Sequence, residues 1–550
     1  MTGAQRPGTV ARWYDRAMAR RWKLPAARNE VAVHRDLAVR ARDGIVLRTD
    51  HYRPVGTAGR GTVLIRTPYG RGLPINSDAR LFAGQGYHVV VQSCRGTFGS
   101  GGQLVPLVFP LETDDALDTV AWLREQPWFD GRLATYGASY VGATQWALLV
   151  EPPPELRTSI VIAGPHDAGH FAFGTGAFLL RDLLVWAKVS LVNQKRFGVL
   201  ATVLLFANSA RVTASTVNAL PLAGAVEKAL RYRAPWFRDL LAHPDRADPF
   251  WESRQANAAL EKVQVPVRLV GGWQDLMLGQ TLRQYEVLRG RGLDVTLTVG
   301  PWIHQVATAG GEGELPAANL DWLAEHLAGE PVRRRPQQPV RIHVGGAGEW
   351  RELPEWPPPA RESVRYLQPG GQLAEQQVPG GSSSFTYDPV DPTPTVAGPL
   401  IDQSAGVRDN RELEARPDVL TFTTAPLTRD LEIIGTPVVE LGHRRSNRHA
   451  DLFVRLCDVD REGRSRNFSE TLLRLDPATG DGVVRLPLDA CAHRLAAGHR
   501  LRLQVSGGSH PRYLRNSGTG APPATATELR PCRHTIDHAT SRVLLPVSPQ

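Results

Sequence analysis

Between residues 61 and 150 the chain alternates short, continuously apolar runs with helical segments, and this alternation restricts its fold more than any other feature. TVLIRTP, YHVVVQS and RLATYG read as buried strands. SDARLFAGQG, ETDDALDTVAWLREQ and SYVGATQWALLV read as the helices between and after them. A strand that is apolar on both faces must be covered on both, so strand–helix repeats imply a parallel sheet with helices on either side. The same rhythm resumes with PVRLVGGW, GQTLRQYEVLRG, VTLTVGPW and LDWLAEHLAG. The interruption between the two blocks reads as helices and is too long for a loop.

Near residue 331 the pattern changes. PVRRRPQQP reads as a linker. After it come short alternating strands divided by Pro and Gly: VRIHVGG, SVRYLQP, VLTFTTAP, LEIIGTPVVEL, ADLFVRLCDVD, GVVRLPLDA and HRLRLQVSGGS. Such spacing predicts an antiparallel sandwich or jelly roll, with GGSSSFTYDPVDPTPT as a proline-rich connection. Ahead of the first block, residues 31–60 predict two strands around the turn Arg42-Asp43-Gly44, and Trp13, Tyr14 and Trp22 predict a short helix. The expected fold is thus α/β. An N-terminal helical extension (1–30) precedes a core in two parts (31–164 and 259–332), a helical cap (165–258) is inserted between them, and a β jelly roll (333–550) ends the chain.

The net charge of +9 does not mark a nucleic-acid binder, because 59 of the 64 basic residues are Arg and they alternate with acids rather than forming blocks. Cys94, Cys457, Cys491 and Cys532 are scattered without a C-x-x-C pair, as expected of reduced thiols. The N-terminus has no signal-peptide core, and no apolar run reaches eighteen residues. The expectation is a cytoplasmic protein with no membrane or nucleic-acid partner, acting on a small molecule, with a homodimer as an open alternative.

The chemistry concentrates at Tyr136-Gly137-Ala138-Ser139-Tyr140-Val141-Gly142. An apolar strand runs into G-x-S and a helix begins at once, the setting of a nucleophile elbow. The second glycine stands one place later than in G-x-S-x-G. In a triad of this type an acid and then a His follow the serine, each at a strand's C-terminal end. VRLVGGWQD delivers Asp275 and VTLTVGPWIH delivers His304. Ser139 then attacks a carbonyl carbon, His304 moves the proton, and Asp275 holds the imidazole. For the oxyanion, the backbone N–H of Tyr140 is one donor. The loop Arg66-Thr67-Pro68-Tyr69-Gly70 offers the Tyr69 phenol as the other. No cofactor and no metal are needed.

RTPYGRG, VVVQSCRGTFGSGG, DDALDTVAWLREQPWFDGRLATYGASYVGATQW, GGWQDLMLG and GPWIH resemble the cocaine esterase / X-prolyl dipeptidyl aminopeptidase group of CocE/NonD-type hydrolases. APLTRDLEIIGTP and ADLFVRLCDVDREGRSRN extend the resemblance, which covers residues 35–550. It implies a serine hydrolase with an α/β-hydrolase core, a helical cap and a jelly roll, acting on esters or amides. It also implies Ser139 as nucleophile, Asp275 as acid, His304 as base and Tyr69 as oxyanion donor, and it directs Met277 toward the acyl site. Two departures occur: Ser93 stands where the family has Asp, and Ser100-Gly101-Gly102 replaces S-E-G.

His166, Phe171 and Trp186 stand where the core enters the cap and are candidate substrate contacts. Asp114 and Asp115 are expected to cap the start of a helix. Cys532, His534, Asp537 and His538 form C-x-H-x-x-D-H, but strand alternation should split them between faces. Two other outcomes share the triad: acyl transfer to an alcohol or amine, and X-Pro dipeptide release, which needs an acidic clamp that the sequence does not place.

Overall fold

A computed structural model describes residues 5, 8–56, 59–72, 77–195, 197–331, 336–377 and 379–548. Residues 1–4 and 6–7 of the N-terminal extension and 332–335 of the PVRRRPQQP linker lie outside the described residues.

The apolar runs become the centre of a ten-stranded sheet. Its strands are β1 (Glu30–Arg40), β2 (Val46–Val55), β3 (Thr62–Thr67), β4 (His88–Ser93), β5 (Leu133–Ala138), β6 (Leu156–Ile162), β7 (Val267–Gln274), β8 (Val295–Ile303), β9 (Val340–Val344) and β10 (Glu349–Leu353). They lie in the order β1-β2-β4-β3-β5-β6-β7-β8-β9-β10. The strands from β4 across to β9 run parallel, and an antiparallel pair closes each edge.

The helices of this part and the cap are α1 (Thr9–Arg21), α2 (Ser77–Gly84), α3 (Phe109–Arg124), α4 (Tyr140–Leu149), α5 (Ala168–Phe173), α6 (Leu180–Val192), α7 (Gly198–Ala207), α8 (Ser209–Val217), α9 (Leu222–Ala229), α10 (Pro235–Ala242), α11 (Asn257–Lys262), α12 (Leu278–Gly290), α13 (His304–Thr308) and α14 (Glu314–His326). Helices α3, α4, α11 and α12 cover one face of the sheet around Trp146, Leu123 and Leu288. Helices α2 and α14 cover the other around Phe82, Tyr87 and Leu323. Each face removes a continuous apolar layer from water, which is the main force holding the core. Helix α1 is tied to α2 by a two-pronged Arg80–Asp15 pair at 2.8 and 2.6 Å.

Three local expectations change. Strand β6 is additional: only IVI in LRTSIVI is continuously apolar, and the preceding Pro152-Pro153-Pro154 obscures its start. VRIHVGG does not open the sandwich, because β9 pairs in parallel with β8 (Val299 opposite Ile342) and carries the first sheet past residue 333. Helix α3 starts at Phe109, so Asp114 and Asp115 are not its cap. Asp114 instead pairs with Arg42 at 2.7 Å, and Asp115 is buried in mid-helix.

The C-terminal half is a jelly-roll sandwich of β11 (Arg361–Gln368), β12 (Gln372–Ala374), β13 (Ser382–Tyr387), β14 (Val419–Thr423), β15 (Leu431–Gly435), β16 (Val438–Arg445), β17 (Asp451–Val459), β18 (Ser465–Arg474), β19 (Gly482–Pro487), β20 (Cys491–Leu495), β21 (Arg500–Ser506) and β22 (Cys532–Val547). Its core gathers Leu441, Leu452, Leu503 and Leu545. Strand β13 lies inside the segment expected to be only a connection. The cap core is shared with the sandwich: Phe453, Leu472, Tyr513 and Leu514 pack among Phe173, Phe178 and Phe237. This joint seats the cap over the C-terminal ends of β5, β7 and β8, where the candidate residues converge.

Candidate active site

Strand β5 ends at Ala138 and α4 starts at Tyr140, so Ser139 alone makes the bend. Its φ of 59° and ψ of −125° are unusual for a residue with a side chain. The turn holds because the Ser139 N–H donates to the Ile162 carbonyl at 2.9 Å and the Ser139 carbonyl accepts from Gly142 and Ala143. At Gly137 an added Cβ would sit 2.1 Å from Val141 Cγ1, so glycine is required there. At Gly142 it would sit 2.6 Å from the Gly164 Cα. The displaced second glycine therefore serves close packing of α4 against the chain after β6.

Three side chains line up at the sheet's C-terminal edge. Ser139 Oγ lies 2.9 Å from His304 Nε2. His304 Nδ1 lies 3.1 and 3.0 Å from the two oxygens of Asp275. An ionised carboxylate accepts only, so Nδ1 carries the proton and Nε2 is free to accept from the serine hydroxyl. Asp275 Oδ1 also accepts from the Met277 N–H at 2.7 Å, which fixes the carboxylate's orientation. Asp275 and His304 are both buried.

Tyr69 follows β3 and faces the same point, its phenol oxygen in contact with Ser139 and the backbone N–H of Tyr140. Burial raises its pKa above the usual tyrosine value, so it stays protonated and able to donate. The Tyr69 hydroxyl and the Tyr140 N–H, both able to donate, thus lie together beside Ser139.

Beneath the bend lies a charged layer that sequence reasoning missed. The Tyr140 hydroxyl donates to Glu112 Oε1 at 3.0 Å. Arg66 pairs with Glu112 at 3.0 Å and approaches Asp115 at 3.7 Å. Arg95 closes on the other side of Asp115. These groups are far apart in sequence and look like ordinary surface charges there. The two departures lie close by. Ser93 Oγ accepts from Arg71 at 2.5 Å, Ser100 Oγ donates to the Ser93 carbonyl at 2.8 Å, and Asp50 supplies a carboxylate to Arg71 at 3.0 Å.

Above Ser139 is a cavity of about 50 Å³ whose described lining carries no Asp or Glu. Met277, Phe171 and Trp186, three of the candidate substrate contacts, line it. Leu183, Trp236 and Ile401 were not foreseen. Ile401 comes from the sandwich, more than 250 residues after the nucleophile, and no motif marks it. His166 is corrected: it lies outside the cavity lining, accepts from Gln284 Nε2 at 2.9 Å and packs edge-on against Trp146. Burial lowers its pKa to about 4, so it is a neutral core residue. Cys532, His534 and His538 share the inner face of β22, and only Asp537 is split from them. His534 stacks on Phe385 and bonds to His443, and among the described residues no cluster could hold a metal ion.

Residues 43–306 match the family model described as X-Pro dipeptidyl-peptidase (S15 family). Residues 332–543 match the X-Pro dipeptidyl-peptidase C-terminal non-catalytic domain. A cocaine esterase of Rhodococcus sp. (strain MB1 Bresler) is 29% identical over 89% of this chain and 93% of its own length. A solved α-amino acid ester hydrolase is 26% identical with a TM-score of 0.80, covering 96% of this chain and 98% of that one. A CocE/NonD family hydrolase from Staphylococcus aureus shares the fold at 17% identity and a TM-score of 0.69, with 94% of each chain covered.

Proposed function

Because the chain belongs to the CocE/NonD-type serine hydrolases, enzymes of ester and amide cleavage, we propose that Ser139 is its nucleophile and that it cleaves esters or amides of small acids with an apolar acyl group. The observation that carries this reading is the continuous chain Asp275–His304–Ser139, every link between 2.9 and 3.1 Å, opening onto an apolar cavity.

In the first half-reaction Ser139 Oγ bonds to the substrate carbonyl carbon and its proton passes to His304 Nε2. The carbonyl π electrons move onto oxygen between the Tyr69 hydroxyl and the Tyr140 N–H. On collapse, the bond to the leaving alcohol or amine breaks and His304 returns the proton to it. Water repeats the sequence and frees the acid. The helix beginning at Tyr140 turns its positive end toward the same point.

The cavity walls favour one substrate class over the other. Free-amine substrates, including X-Pro dipeptides, need a carboxylate near the acyl end, and the described lining supplies none. Leu183, Trp236, Met277 and Ile401 instead favour hydrocarbon. The test is a panel of nitrophenyl acyl esters and aminoacyl nitroanilides, with Ser139→Ala as control. The reading expects kcat/KM to be highest for an apolar acyl ester and turnover to vanish in Ser139→Ala. A preference for aminoacyl or X-Pro amides would overturn the substrate class. Turnover surviving in Ser139→Ala would overturn the nucleophile.

A further inference from the structure

Trp186 lines the cavity, yet its polar edge is turned to a different task. The indole Nε1–H lies 3.0 Å from the Tyr69 hydroxyl oxygen. An indole nitrogen only donates, so the direction of this bond is settled: Tyr69 accepts. A phenol has a single proton, held near the plane of its ring by conjugation, which leaves two directions for it. With one direction at the oxygen taken by the Trp186 N–H, the phenol proton is left to point at an acceptor. Ser139 Oγ is in contact with the same oxygen and can accept it, at the point where the oxyanion would form.

We propose that Trp186 is a positioning residue that aims the Tyr69 hydroxyl at the oxyanion. This rests on the reading of Ser139 as the nucleophile and Tyr69 as an oxyanion donor.

The placement of Trp186 is built rather than incidental. Its ring stacks on Tyr140 with centroids 5.6 Å apart and planes 8° from parallel. It meets Trp236 edge-on at 5.6 Å. Helix α6, which carries it, is pinned one turn earlier to the sandwich. Arg181 pairs with Asp402 at 2.7 Å, and the Ile401 N–H donates to Asp182 Oδ1 at 2.7 Å. All four of these residues are buried. The sandwich thus sets the register of the cap helix, and the cap helix sets the proton of the oxyanion donor. This ties a segment around residue 400 to the chemistry without bringing it to the reacting atoms.

A wall residue and a positioning residue make different predictions. Trp186→Phe keeps an aromatic ring against Tyr140 but removes the N–H together with part of the indole that lines the cavity, so the double-variant comparison separates the lost hydrogen bond from the lost wall. The probe is a fluorophosphonate, whose P=O oxygen takes the oxyanion's place as Ser139 is phosphonylated, so no natural substrate need be known. The full-length protein is compared as wild type, Trp186→Phe, Tyr69→Phe and the double variant. The limiting rate and the half-saturating probe concentration are read separately.

The expected result is a roughly five- to tenfold lower limiting rate in Trp186→Phe, the worth of one neutral hydrogen bond, with half-saturation within about twofold. In the Tyr69→Phe background, the further change Trp186→Phe should have no effect, because the group it aims is gone. A wild-type limiting rate in Trp186→Phe overturns the proposal, and so does an equal loss in both backgrounds. A change in half-saturation alone shows a wall and also overturns it. Labelling that persists in Ser139→Ala would instead overturn the reading beneath it. Far-ultraviolet circular dichroism and the thermal unfolding midpoint of each variant separate misfolding from these outcomes.

Discussion

Beneath Ser139 the protein buries charge, and above it the protein buries hydrocarbon. The floor holds Arg66, Glu112, Asp115 and Arg95, tied to the Tyr140 hydroxyl and through it to the first turn of α4. The roof holds Leu183, Trp186, Trp236 and Ile401 from the cap and sandwich. Buried ion pairs contribute little net stability, but losing one partner is expensive, so such a layer admits few alternative arrangements. Apolar walls tolerate changes of shape far better. On the proposed reading, the floor sets geometry and the roof sets substrate choice. Catalysis needs atoms placed to within a fraction of an ångström, whereas acyl recognition needs volume.

If that division is right, substitutions at the bend and floor should be the most damaging. Ser139→Ala should lower kcat by roughly 10⁴-fold or more while the thermal unfolding midpoint stays near wild type. Arg66→Met leaves Glu112 and Asp115 without their shared cation. Denaturant titration should show a loss of about 3–5 kcal/mol. Tyr69→Phe should reduce kcat by roughly 10²–10³ with a smaller change in KM. A normal kcat there would remove the oxyanion role.

At the roof, effects should appear in selectivity rather than in rate. Leu183→Ala enlarges a cavity of about 50 Å³. The ratio of kcat/KM for an octanoyl over an acetyl nitrophenyl ester should therefore rise roughly tenfold. If Leu183→Ala lowers all esters equally, the roof is serving geometry and the division fails.

The smallest expected effect lies away from both. Burial of the stacked pair His51 and His88 lowers their pKa to about 2 and about 4. Both values lie below that of a histidine in the unfolded chain, near 6.5. As pH falls below about 6.5 the unfolded state takes up protons that the folded state refuses, so stability declines. Denaturant midpoints measured at pH 7, 6 and 5 should fall in that order, and His88→Gln should flatten the slope. A slope unchanged in His88→Gln would place the acid sensitivity elsewhere.

The floor and roof also differ in how far they could be read beforehand. The parallel sheet was legible because TVLIRTP, YHVVVQS and PVRLVGGW each carry a continuous apolar pattern. Ser139, Asp275, His304 and Tyr69 were legible because each ends or follows a recognisable strand, and the structure brings the four together. Strand β6 escaped because three prolines precede it, and β9 because an alternating run does not reveal which sheet it joins. His166 was misplaced because position at a domain joint does not reveal which way a ring turns. Ile401 and the Arg66–Glu112–Asp115 layer depend on long-range packing, which leaves no periodic trace in one sequence.

The central claim is that Ser139 carries the acyl group between the two half-reactions. Rapid mixing with an excess of a slowly deacylating nitrophenyl ester, followed by acid quench and peptide mass analysis, tests it directly. The account predicts a burst of about one nitrophenolate per chain, with the acyl mass on the peptide bearing Ser139 and neither signal in Ser139→Ala. A burst that survives in Ser139→Ala, or an acyl mass on any other residue, would contradict it.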